Sequence, residues 1–345
     1  MTQLVPQTVC YVAIGFSSWK KSAVRLCFAP QQVRFVDQPD QVPAGAVVVV
    51  WGRKEWPQFA GRQPMIRLED GFIRSVGLGA DLIKPLSWVV DSRGLYYDPT
   101  QVSDLEHLLA THEFPADLCR RAAQFRQQLV SAKLTKYNVG GQTWSRPAGK
   151  SRIVLVAGQV ESDAAIHFGS PVCKSNLALL QKARELEPDA WLVYKPHPDV
   201  VARLRAAGTD EATAATVADE VITDVDMADL LTQVDAVHVM SSLTGFEALL
   251  RHVEVICHGM PFYAGWGLTN DLLPIPRRSR RLTLDQLVAA SLLLYPRYFN
   301  KANTQLLTPE QALGELVSWR QQQSVLMRPY FWLKRLIVRA VVGIK

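Results

Sequence analysis

The sequence predicts an α/β protein made of two halves that face a single cleft. The first observation is an alternation of short apolar runs with amphipathic stretches of helical period, which is typical of parallel sheets covered by helices. The second is a set of polar turns that follow the apolar runs, at the edge where open α/β sheets bind ligands. The third is the length of 345 residues, which suits two domains of ordinary size.

The predicted strands are the apolar runs TVCYVAI, AVVVVW, MIRL, SWVV, RIVLVA, WLVYK, AVHVM and VEVIC. Helical periodicity marks DLEHLLA, ADLCRRAAQFRQQLVSA, KSNLALLQKARELE and GFEALL, and further helices are expected at about Thr283–Tyr295 and Thr308–Gln322. Residues 140–151 are rich in glycine and polar residues without periodicity, which predicts a linker. The expected units are a domain over 1–139, this linker, a domain with C-terminal helices over 152–325, and a tail over 326–345.

Composition narrows the class of protein. Hydrophobic residues make up 48% of the chain, so it can bury substantial cores and is not expected to be disordered. The net charge of +6 suits an anionic partner such as a nucleotide, a phospholipid or nucleic acid. The five cysteines have no CxxC spacing, which argues against a structural zinc site or a disulfide framework and favours a reducing compartment. Residues 1–20 lack the pattern of a signal peptide, and no apolar run approaches the ~20 residues that span a bilayer.

Polar residues collect in the turns that follow five of the apolar runs. Because these turns come from both halves, they predict one ligand cleft between two facing domains. Gln159 in the second turn and Lys195, just before the third, are candidate substrate ligands. The turns are EDGFIRS (69–75), GQVESD (158–163), PHPD (196–199), SSLTG (241–245) and HGMPFYAGWG (258–267).

Two of these turns predict a grip on a nucleotide phosphate. Ser241, Ser242 and Thr244 precede the predicted helix GFEALL, where hydroxyls and free backbone amides favour an anion. His197 lies between two prolines, which restrict the backbone and can aim the imidazole across the cleft. The alternatives are an ordinary serine N-cap, with Glu247 in the first turns of the helix, and a structural histidine. The chain has neither GxxxxGK[ST] nor a complete GxGxxG, so P-loop and dinucleotide readings are weak.

Carboxylates form a further group of candidate residues. Glu69 and Asp70 follow a strand of the first half, and Asp163 follows a strand of the second. Acids opposite each other across a cleft are the apparatus of glycosyl chemistry, although each one alone is compatible with a solvated loop acid. Arg74 and Ser75 are suited to binding a substrate carboxylate. The alternative for Arg74 is a salt bridge to Asp70, four residues earlier.

Several longer segments resemble one known family. They are LEDGFIRSVGLGADLIKPLSWVVDSRGLYYD, TKYNVG, GQVESDAAIHFGSP, VYKPHPDV, SSLTGFEALLR, GMPFYAGWGLT and LYPRY, within roughly residues 47–320. These segments resemble the KpsC-type capsule polysaccharide biosynthesis family, which are bacterial β-Kdo transferases. The resemblance implies a GT-B-like fold, with two Rossmann-like domains facing a cleft. It implies CMP-Kdo as donor, and retaining transfer that builds a β-Kdo linker on phosphatidylglycerol or its lyso form.

The resemblance also implies roles for individual residues. The pattern is similar to that of bacterial sialyltransferases, which use another CMP-ulosonic acid. By that similarity His197 and the Ser241-Ser242 pair hold the phosphate and ribose of CMP. Asp163 would be the nucleophile, and Glu69 or Asp70 the acid/base, with no metal or cofactor. The first half would then be the acceptor side and the second half the donor side.

The resemblance extends to partners and location. Members of the family typically carry two such modules in tandem and this sequence holds one, so a companion Kdo-transferase module is an expected partner. The glycolipid acceptor implies work at the cytoplasmic face of the bacterial inner membrane. Residues 326–345 fit this, because as a helix they would place Arg328, Arg335 and Arg339 in one stripe beside a broad apolar face. The alternative for this tail is a helix packed on the domain or on a partner module.

Three other classes of function remain open from the sequence. A nucleotide-sugar epimerase of related architecture would also use a His-Pro turn and paired carboxylates. A non-catalytic partner in capsule assembly or export would need the same fold without the chemistry. The basic cluster 277–281 (RRSRR) suggests a protein that binds nucleic acid, but the cluster has no aromatic residues between its arginines and matches no known motif. We interpret this cluster as a solvated face or a contact for lipid or acceptor phosphates.

Overall fold

The structure is a computed structural model that describes residues 9–59, 62–77, 83–136, 138, 140–208 and 210–326. Within these residues the strands form two sheets, one of seven strands and one of six. The prediction of an α/β protein with two sheets is therefore confirmed. The strands are β1 (Tyr11–Ile14), β2 (Val33–Val36), β3 (Val47–Trp51), β4 (Met65–Asp70), β5 (Ser87–Asp91), β6 (Ile153–Ala157), β7 (Trp191–Lys195), β8 (Glu220–Val221), β9 (Ala236–Val239), β10 (Glu254–Cys257), β11 (Asn270–Asp271), β12 (Pro296–Phe299) and β13 (Leu306–Leu307).

Several helices begin at a side chain that caps a free backbone N–H. Ser103 caps α2 by accepting from the amide of Glu106 at 3.0 Å, and Ser175 caps α5 by accepting from that of Ala178 at 3.2 Å. The helices are α1 (Lys21–Phe28), α2 (Asp104–Thr111), α3 (Ala116–Ser131), α4 (Ala164–Gly169), α5 (Asn176–Leu186), α6 (Pro198–Val201), α7 (Glu211–Val217), α8 (Met227–Leu230), α9 (Leu243–Leu249), α10 (Leu284–Val288), which continues as a π-helix over Ala289–Leu294, and α11 (Pro309–Leu326). Helices α2, α3, α5, α9, α10 and α11 occupy the predicted helical stretches, whereas α1, α4, α6, α7 and α8 were not predicted.

The second sheet is parallel throughout, in the order β11-β10-β9-β6-β7-β8. Its strand β6 reads IVLVA and buries all five residues, which is the pattern of a strand covered on both faces. Ala157 of β6 lies beside Lys195 of β7, so the carboxyl ends of these strands meet at one edge. The turns 158–163 and 196–199 therefore start from neighbouring positions.

The first sheet is mixed, in the order β13-β12-β5-β4-β3-β1-β2. Strands β1 to β4 are parallel to their neighbours, but β5 runs antiparallel to β4, with Asp70 beside Trp88. The prediction of a parallel sheet is wrong for this part of the first half. The segment between β4 and β5 contains no helix in its described part, and strands joined without a crossover helix pair antiparallel.

The chain returns to the first sheet near its C-terminal end. Strand β12 pairs antiparallel with β5, so it adds to the first sheet although we placed 152–325 in the second domain. This return buries Phe299 against Trp88, whose ring centroids are 5.8 Å apart, and both side chains are fully buried. Burial of two large rings favours this pairing, and no local pattern in the sequence signals it.

The two halves share buried contacts. Phe72, which follows β4, has its ring centroid 4.5 Å from that of Phe262 and 6.1 Å from that of Phe246 in α9. Glu106 of α2 accepts from the Nε and Nη2 atoms of Arg278 at 3.0 and 2.9 Å, and also from Arg277. These contacts hold the turns of the second half opposite the end of β4.

The interpretation of the basic cluster 277–281 as a solvated face or a phosphate contact is wrong for Arg278 and Arg280, which bind groups of the protein itself. Arg278 is buried, and its Nη1 also donates to the carbonyls of Pro261 and Ala264 at 2.6 and 2.8 Å. Arg280 donates to the carbonyl of His112 at 2.8 Å. The cluster binds protein groups because Glu106 and several backbone carbonyls lie beside it, and none of these is within ten positions of it in the sequence.

Residues 140–151 form neither helix nor strand, and they pack on the second half. Trp144 donates its indole N–H to Glu220 at 2.8 Å, and Arg146 pairs with Asp235 at 2.8 Å. The predicted tail over 326–345 lies outside the described residues, apart from the last residue of α11. Among the helices that the structure describes, none has the length and apolarity to cross a membrane.

Candidate active site

A cleft of about 590 Å³ opens between the carboxyl-edge turns of the two halves. Its walls carry most of the residues that the sequence nominates from both halves, which is the arrangement that the strand-end turns predict. Arg74 and Ser75 are the exceptions. The nominated residues that line the cleft are Glu69, Asp70, Gln159, Asp163, Lys195, His197, Ser241, Ser242, Thr244 and Glu247.

Glu69 and Asp70 are the last two residues of β4, so the strand itself presents them to the cleft. The amide of Asp70 donates to the Oε1 atom of Glu69 at 2.9 Å. Burial, followed by the charge of Asp70, raises the pKa of Glu69 to about 7. Glu69 can therefore exchange a proton near neutral pH, which is the property of a general acid or base.

Arg74 and Ser75 lie behind the acidic pair and away from the cleft wall. The Nε atom of Arg74 is 2.7 Å from the Oδ2 atom of Asp70, and its Nη1 donates to the Ser75 hydroxyl at 3.0 Å. Both residues are buried, and the Ser75 hydroxyl donates to the carbonyl of Gly77 at 3.0 Å. The salt bridge to Asp70 is therefore formed, and neither side chain reaches the place where we expected a substrate carboxylate. Four-residue spacing lets the arginine fold back on the strand end.

Two tyrosines lie beside the acids at the end of β4 and line the cleft. The hydroxyl of Tyr96 donates to the carbonyl of Asp70 at 3.1 Å, and that of Tyr97 lies 3.5 Å from the Oε2 atom of Glu69. Burial raises the pKa of both tyrosines, and the charges of Glu69 and Asp163 raise it further. The tyrosine next to Glu69 thus lines the same cleft as Asp163 of the second half.

Asp163 begins α4 on the other wall. Its Oδ1 atom accepts from the amide of Ala165 at 3.4 Å, and its Oδ2 atom lies 3.9 Å from the Nη2 atom of Arg205. Half of the side chain is exposed, at 50%, so the carboxylate is open to a ligand in the cleft. The helix cap holds the carboxylate in one orientation without burying it.

His197 begins α6 between Pro196 and Pro198, and Pro198 occupies the first position of the helix. Its Nδ1 atom accepts from the amide of Asp199 at 3.1 Å. Burial lowers the pKa of His197 to about 4, Lys136 lowers it further, and Asp163 opposes this shift. The imidazole is therefore neutral at pH 7, with its proton on Nε2.

Lys195, at the end of β7, donates from Nζ to the carbonyl of Thr223 at 3.0 Å. Burial lowers the pKa of this lysine, while the charges of Asp224 and Asp226 oppose that shift. The ammonium is thus anchored at the floor of the cleft. It can add positive potential there, because a partly desolvated charge acts over a longer distance.

The Ser-Ser turn is held by the rest of the second half. The side-chain amide of Gln159 makes two hydrogen bonds with Ser241. Its Oε1 accepts from the backbone N–H of Ser241 at 2.9 Å, and its Nε2 donates to the Ser241 hydroxyl at 3.3 Å. The Ser241 hydroxyl donates to the carbonyl of Ala165 at 2.9 Å. Ser242 caps α9 by accepting from the amide of Thr244 at 3.2 Å, so the ordinary N-cap is present. The cap and a ligand can share the Ser242 hydroxyl, because its proton remains available.

Glu247 of α9 lies at the back of the cleft. Its Oε1 atom accepts from the amide of Lys136 at 2.6 Å. Burial raises the pKa of Glu247 to about 7, and that hydrogen bond, followed by the charge of Arg251, opposes the rise. In this position Glu247 positions the loop at Lys136, which also lines the cleft.

The cleft includes residues that sequence reasoning did not nominate. Tyr96, Tyr97 and Lys136 line it, and Arg205 reaches Asp163 from the segment after α6. The motifs LYYD and TKYNVG contain three of them, and these motifs were among the segments that carry the family resemblance. Arg205 belongs to no such motif and had no signal in the sequence. Among the described residues, no group of three or more His, Cys, Asp and Glu side chains is arranged to hold a metal ion.

Comparison with known proteins decides the family. A model of the family described as "Capsule polysaccharide biosynthesis protein" matches residues 60–138 and 112–298. The chain belongs to this family. The predicted relationship to KpsC-type proteins is thereby confirmed, and it extends over most of the chain.

Solved structures of two Kdo transferases are similar to this chain. The Thermosulfurimonas dismutans KpsC beta Kdo 2,7 transferase is 36% identical, with a TM-score of 0.72, over 90% of this chain and 99% of that chain. The beta Kdo 2,4 transferase of KpsC from the same organism is 32% identical, with a TM-score of 0.76, over 89% of this chain and 97% of that one. The α/β fold with two sheets is therefore shared with both.

Two curated relatives have names that refer to surface polysaccharides. "Capsule polysaccharide modification protein LipA" of Neisseria meningitidis serogroup A is 41% identical over 321 residues, which are 90% of this chain and 46% of LipA. "Lipopolysaccharide-processing protein LpsZ" of Rhizobium meliloti is 39% identical over 300 residues, which are 84% of this chain and 64% of LpsZ. The chain thus spans about half the length of LipA and under two thirds of LpsZ.

Proposed function

We propose that this protein is a retaining β-Kdo glycosyltransferase that uses CMP-Kdo to build the Kdo linker of a capsular glycolipid. The observation that carries the proposal is that Glu69 from the first half and Asp163 from the second line the same cleft, together with Tyr96 and Tyr97. The similarity to two Kdo transferases over about nine tenths of the chain supports the sugar.

The proposed reaction has two steps at the anomeric carbon. A carboxylate oxygen of Asp163 attacks that carbon, and the bond to the phosphate oxygen of CMP breaks, so that CMP leaves with the electron pair. The acceptor hydroxyl then attacks the same carbon from the face that CMP left, loses its proton to Glu69 and displaces Asp163. Two inversions give net retention. Glu69 suits the base role better than Asp70, because Arg74 engages the Asp70 carboxylate at 2.7 Å.

Departure of CMP needs stabilisation of its phosphate. His197 has its only N–H on Nε2, since Nδ1 accepts from the backbone, and it lines the cleft together with Ser242 and Lys195. A neutral donor and a nearby ammonium can bind a phosphate without protonating it. We assign these three residues to the CMP phosphate, with Ser241 held in place by Gln159.

This assignment makes the second half the donor side and the first half the acceptor side, in a GT-B-like arrangement. The support is that the phosphate-binding candidates end or follow strands of the parallel second sheet, whereas the proposed base lies on β4 of the first. The nucleophile Asp163 belongs to the donor side because the donor must reach it first.

The product of the reaction tests the proposal against its rivals. The protein is incubated with CMP-Kdo and a short Kdo-bearing acceptor, and the product is examined by NMR. A new β-Kdo linkage supports the transferase, and its position identifies which hydroxyl accepts. Release of an isomerised free sugar would favour an epimerase instead. If donor and acceptor both remain intact, a non-catalytic partner in capsule assembly or export becomes the better reading.

The complete acceptor and the membrane are further parts of the proposal. We propose that the acceptor ends in phosphatidylglycerol or its lyso form, that a companion Kdo-transferase module acts with this one, and that basic residues in 326–345 bind the inner leaflet. Flotation with phosphatidylglycerol vesicles compares the full chain with one that ends at Gln323. Only the full chain should float, and high salt should release it; equal flotation of the shorter chain would contradict the role of the tail.

A further inference from the structure

Two lysine–tryptophan pairs lie at the carboxyl edge of the first sheet, outside the cleft described above. The Nζ atom of Lys20 is 3.0 Å from the centroid of the Trp51 ring, and that of Lys54 is 4.4 Å from the centroid of the Trp56 ring. Lys20 follows β1, and the other three residues end or follow β3. Because β1 and β3 are parallel neighbours, both pairs are delivered to the same edge.

A glycine lies beside the Lys54–Trp56 pair, where it adds no side chain to the surface. A Cβ atom at Gly15 would lie 3.7 Å from both the Nζ atom of Lys54 and the ring of Trp56. Gly15 has a φ of +71°, which an L side chain rarely adopts, and it is exposed. Trp19, next to Lys20, is 36% exposed, so a large apolar ring also faces solvent here. The edge therefore combines open backbone, exposed ring surface and two cations.

The Lys20–Trp51 pair lies beside the strand that ends in the proposed base, because Trp51 of β3 pairs with Leu68 of β4, one residue before Glu69. Burial lowers the pKa of Lys20 to about 8, and the charges of Asp70 and Glu69 oppose this shift. Lys20 is thus within electrostatic reach of both acids at the end of β4. The contact with the Trp51 ring stabilises the ammonium of Lys20 less than an ion pair with a carboxylate would. An incoming anion can therefore still form a strong ion pair with this ammonium.

This combination matches one class of ligand. The face of an aromatic ring carries partial negative charge, and it packs well against the C–H groups of a sugar. An ammonium beside that ring pairs with a carboxylate. A saccharide that carries acidic groups can bind the rings and the ammonium groups at once, whereas a neutral saccharide can use only the rings.

We propose that Lys20 and Lys54, backed by Trp51 and Trp56 and flanked by Trp19, form a subsite for the carboxylates of an acidic saccharide acceptor. The inference rests on the proposed function, and it adds the residues that would bind the carboxylates of the acceptor. The sugar acid at the end of the acceptor would pair with Lys20, which directs its hydroxyl toward Glu69. The preceding sugar acid would pair with Lys54.

The experiment separates charge from shape. Two acceptors are compared, a Kdo disaccharide with free carboxylates and the same disaccharide as its methyl esters, in kinetics with CMP-Kdo and in direct binding by calorimetry. The variants are Lys20→Met, Lys54→Met and Lys20→Arg, with Lys21→Met as matched control. Lys21 is adjacent in sequence, but its Nζ atom lies 5.4 Å from the ring centroid of Phe35 on β2.

We expect Lys20→Met and Lys54→Met each to weaken binding of the acid acceptor, and to raise its KM, by about tenfold. The ester should bind both methionine variants as weakly as it binds the wild type, and their affinity for CMP should be unchanged. Lys20→Arg should bind the acid acceptor almost as well as the wild type does. Lys21→Met should behave as the wild type. Acid-acceptor binding within twofold of wild type in both methionine variants overturns the subsite, as does an equal loss for acid and ester. Because binding is measured apart from transfer, an inactive wild type that still binds the acid through Lys20 would count against the proposed function alone.

Discussion

The Nδ1 atom of His197 accepts the backbone N–H of Asp199 at 3.1 Å, so this nitrogen stabilises the first turn of α6, while Nε2 carries the proton of a side chain that lines the cleft. The two nitrogens thus have separate tasks. One stabilises local structure and the other is the donor proposed for the CMP phosphate. A single substitution can therefore be chosen to remove one task and keep the other.

We expect His197→Asn to weaken CMP binding by roughly 1–3 kcal/mol, because the phosphate loses a donor while the asparagine oxygen can still cap the helix. His197→Ala should lose about the same affinity and, in addition, about 1 kcal/mol of folding stability with the cap. Calorimetry with CMP and urea denaturation give the two quantities. Wild-type affinity in both variants would return His197 to a purely structural role.

Asp163→Asn should reduce transfer by more than about 1000-fold, as loss of a covalent nucleophile does, while CMP binding stays near wild type. The asparagine keeps the oxygen that accepts from the amide of Ala165, so the start of α4 is preserved. With a slow donor, mass spectrometry of the wild type should find Kdo on the peptide that contains Asp163. More than a tenth of wild-type turnover in the variant would be incompatible with a nucleophile at this position.

The rate of transfer should rise with pH through about 7, since burial and Asp70 raise the pKa of Glu69 to that value and a general base must be deprotonated. Glu69→Gln should lower kcat/KM and remove this limb of the profile. The profile is measured with saturating CMP-Kdo from pH 5.5 to 9. A variant that keeps the same limb would assign the titration to another group.

Glu247→Gln should become more stabilising relative to wild type as the pH rises. Because the folded pKa of Glu247 is about 7 and lies above its usual value, its stability contribution is complete at pH 4 and is lost as the pH rises through 7. Above pH 7 the wild type should have lost on the order of 3 kcal/mol of folding stability that the variant keeps. The amide oxygen of the variant side chain can still accept from the backbone N–H of Lys136. Urea denaturation of both proteins at pH 5 and 8.5 measures it. A stability difference that does not change with pH would contradict the buried carboxylate.

The buried pair of Glu106 with Arg278 should matter far more than an exposed pair of similar geometry. Glu106→Ala leaves the buried Arg278 cation without its carboxylate counter-charge and should cost about 3–5 kcal/mol. Glu310→Ala, the control, removes an exposed 2.8 Å pair with Arg121 and should cost less than about 1 kcal/mol. Urea denaturation compares them, and equal costs would mean that Arg278 finds other compensation.

Much of this protein was predictable because the responsible patterns are local. The runs RIVLVA and WLVYK predict buried strands from their apolar residues alone, and the structure has β6 and β7 there. Parallel strands bring their carboxyl ends to one edge, so the turns after them predicted where the cleft lies. Asp163, His197 and Ser242 could therefore be nominated from their places after strands.

The pairing of distant segments was decided only by tertiary structure. Arg74 was nominated for a ligand, yet it turns to Asp70 because that carboxylate is within reach of its guanidinium inside the protein. Arg277 and Arg278 looked like an exposed basic surface, but Glu106 lies beside them across more than 170 positions of the chain. Strand β12 joins the first sheet because β5 offers a free edge and Trp88 a place for Phe299. Such contacts depend on which charged groups and rings meet after the two halves close, and hydrophobic periodicity carries no information about that.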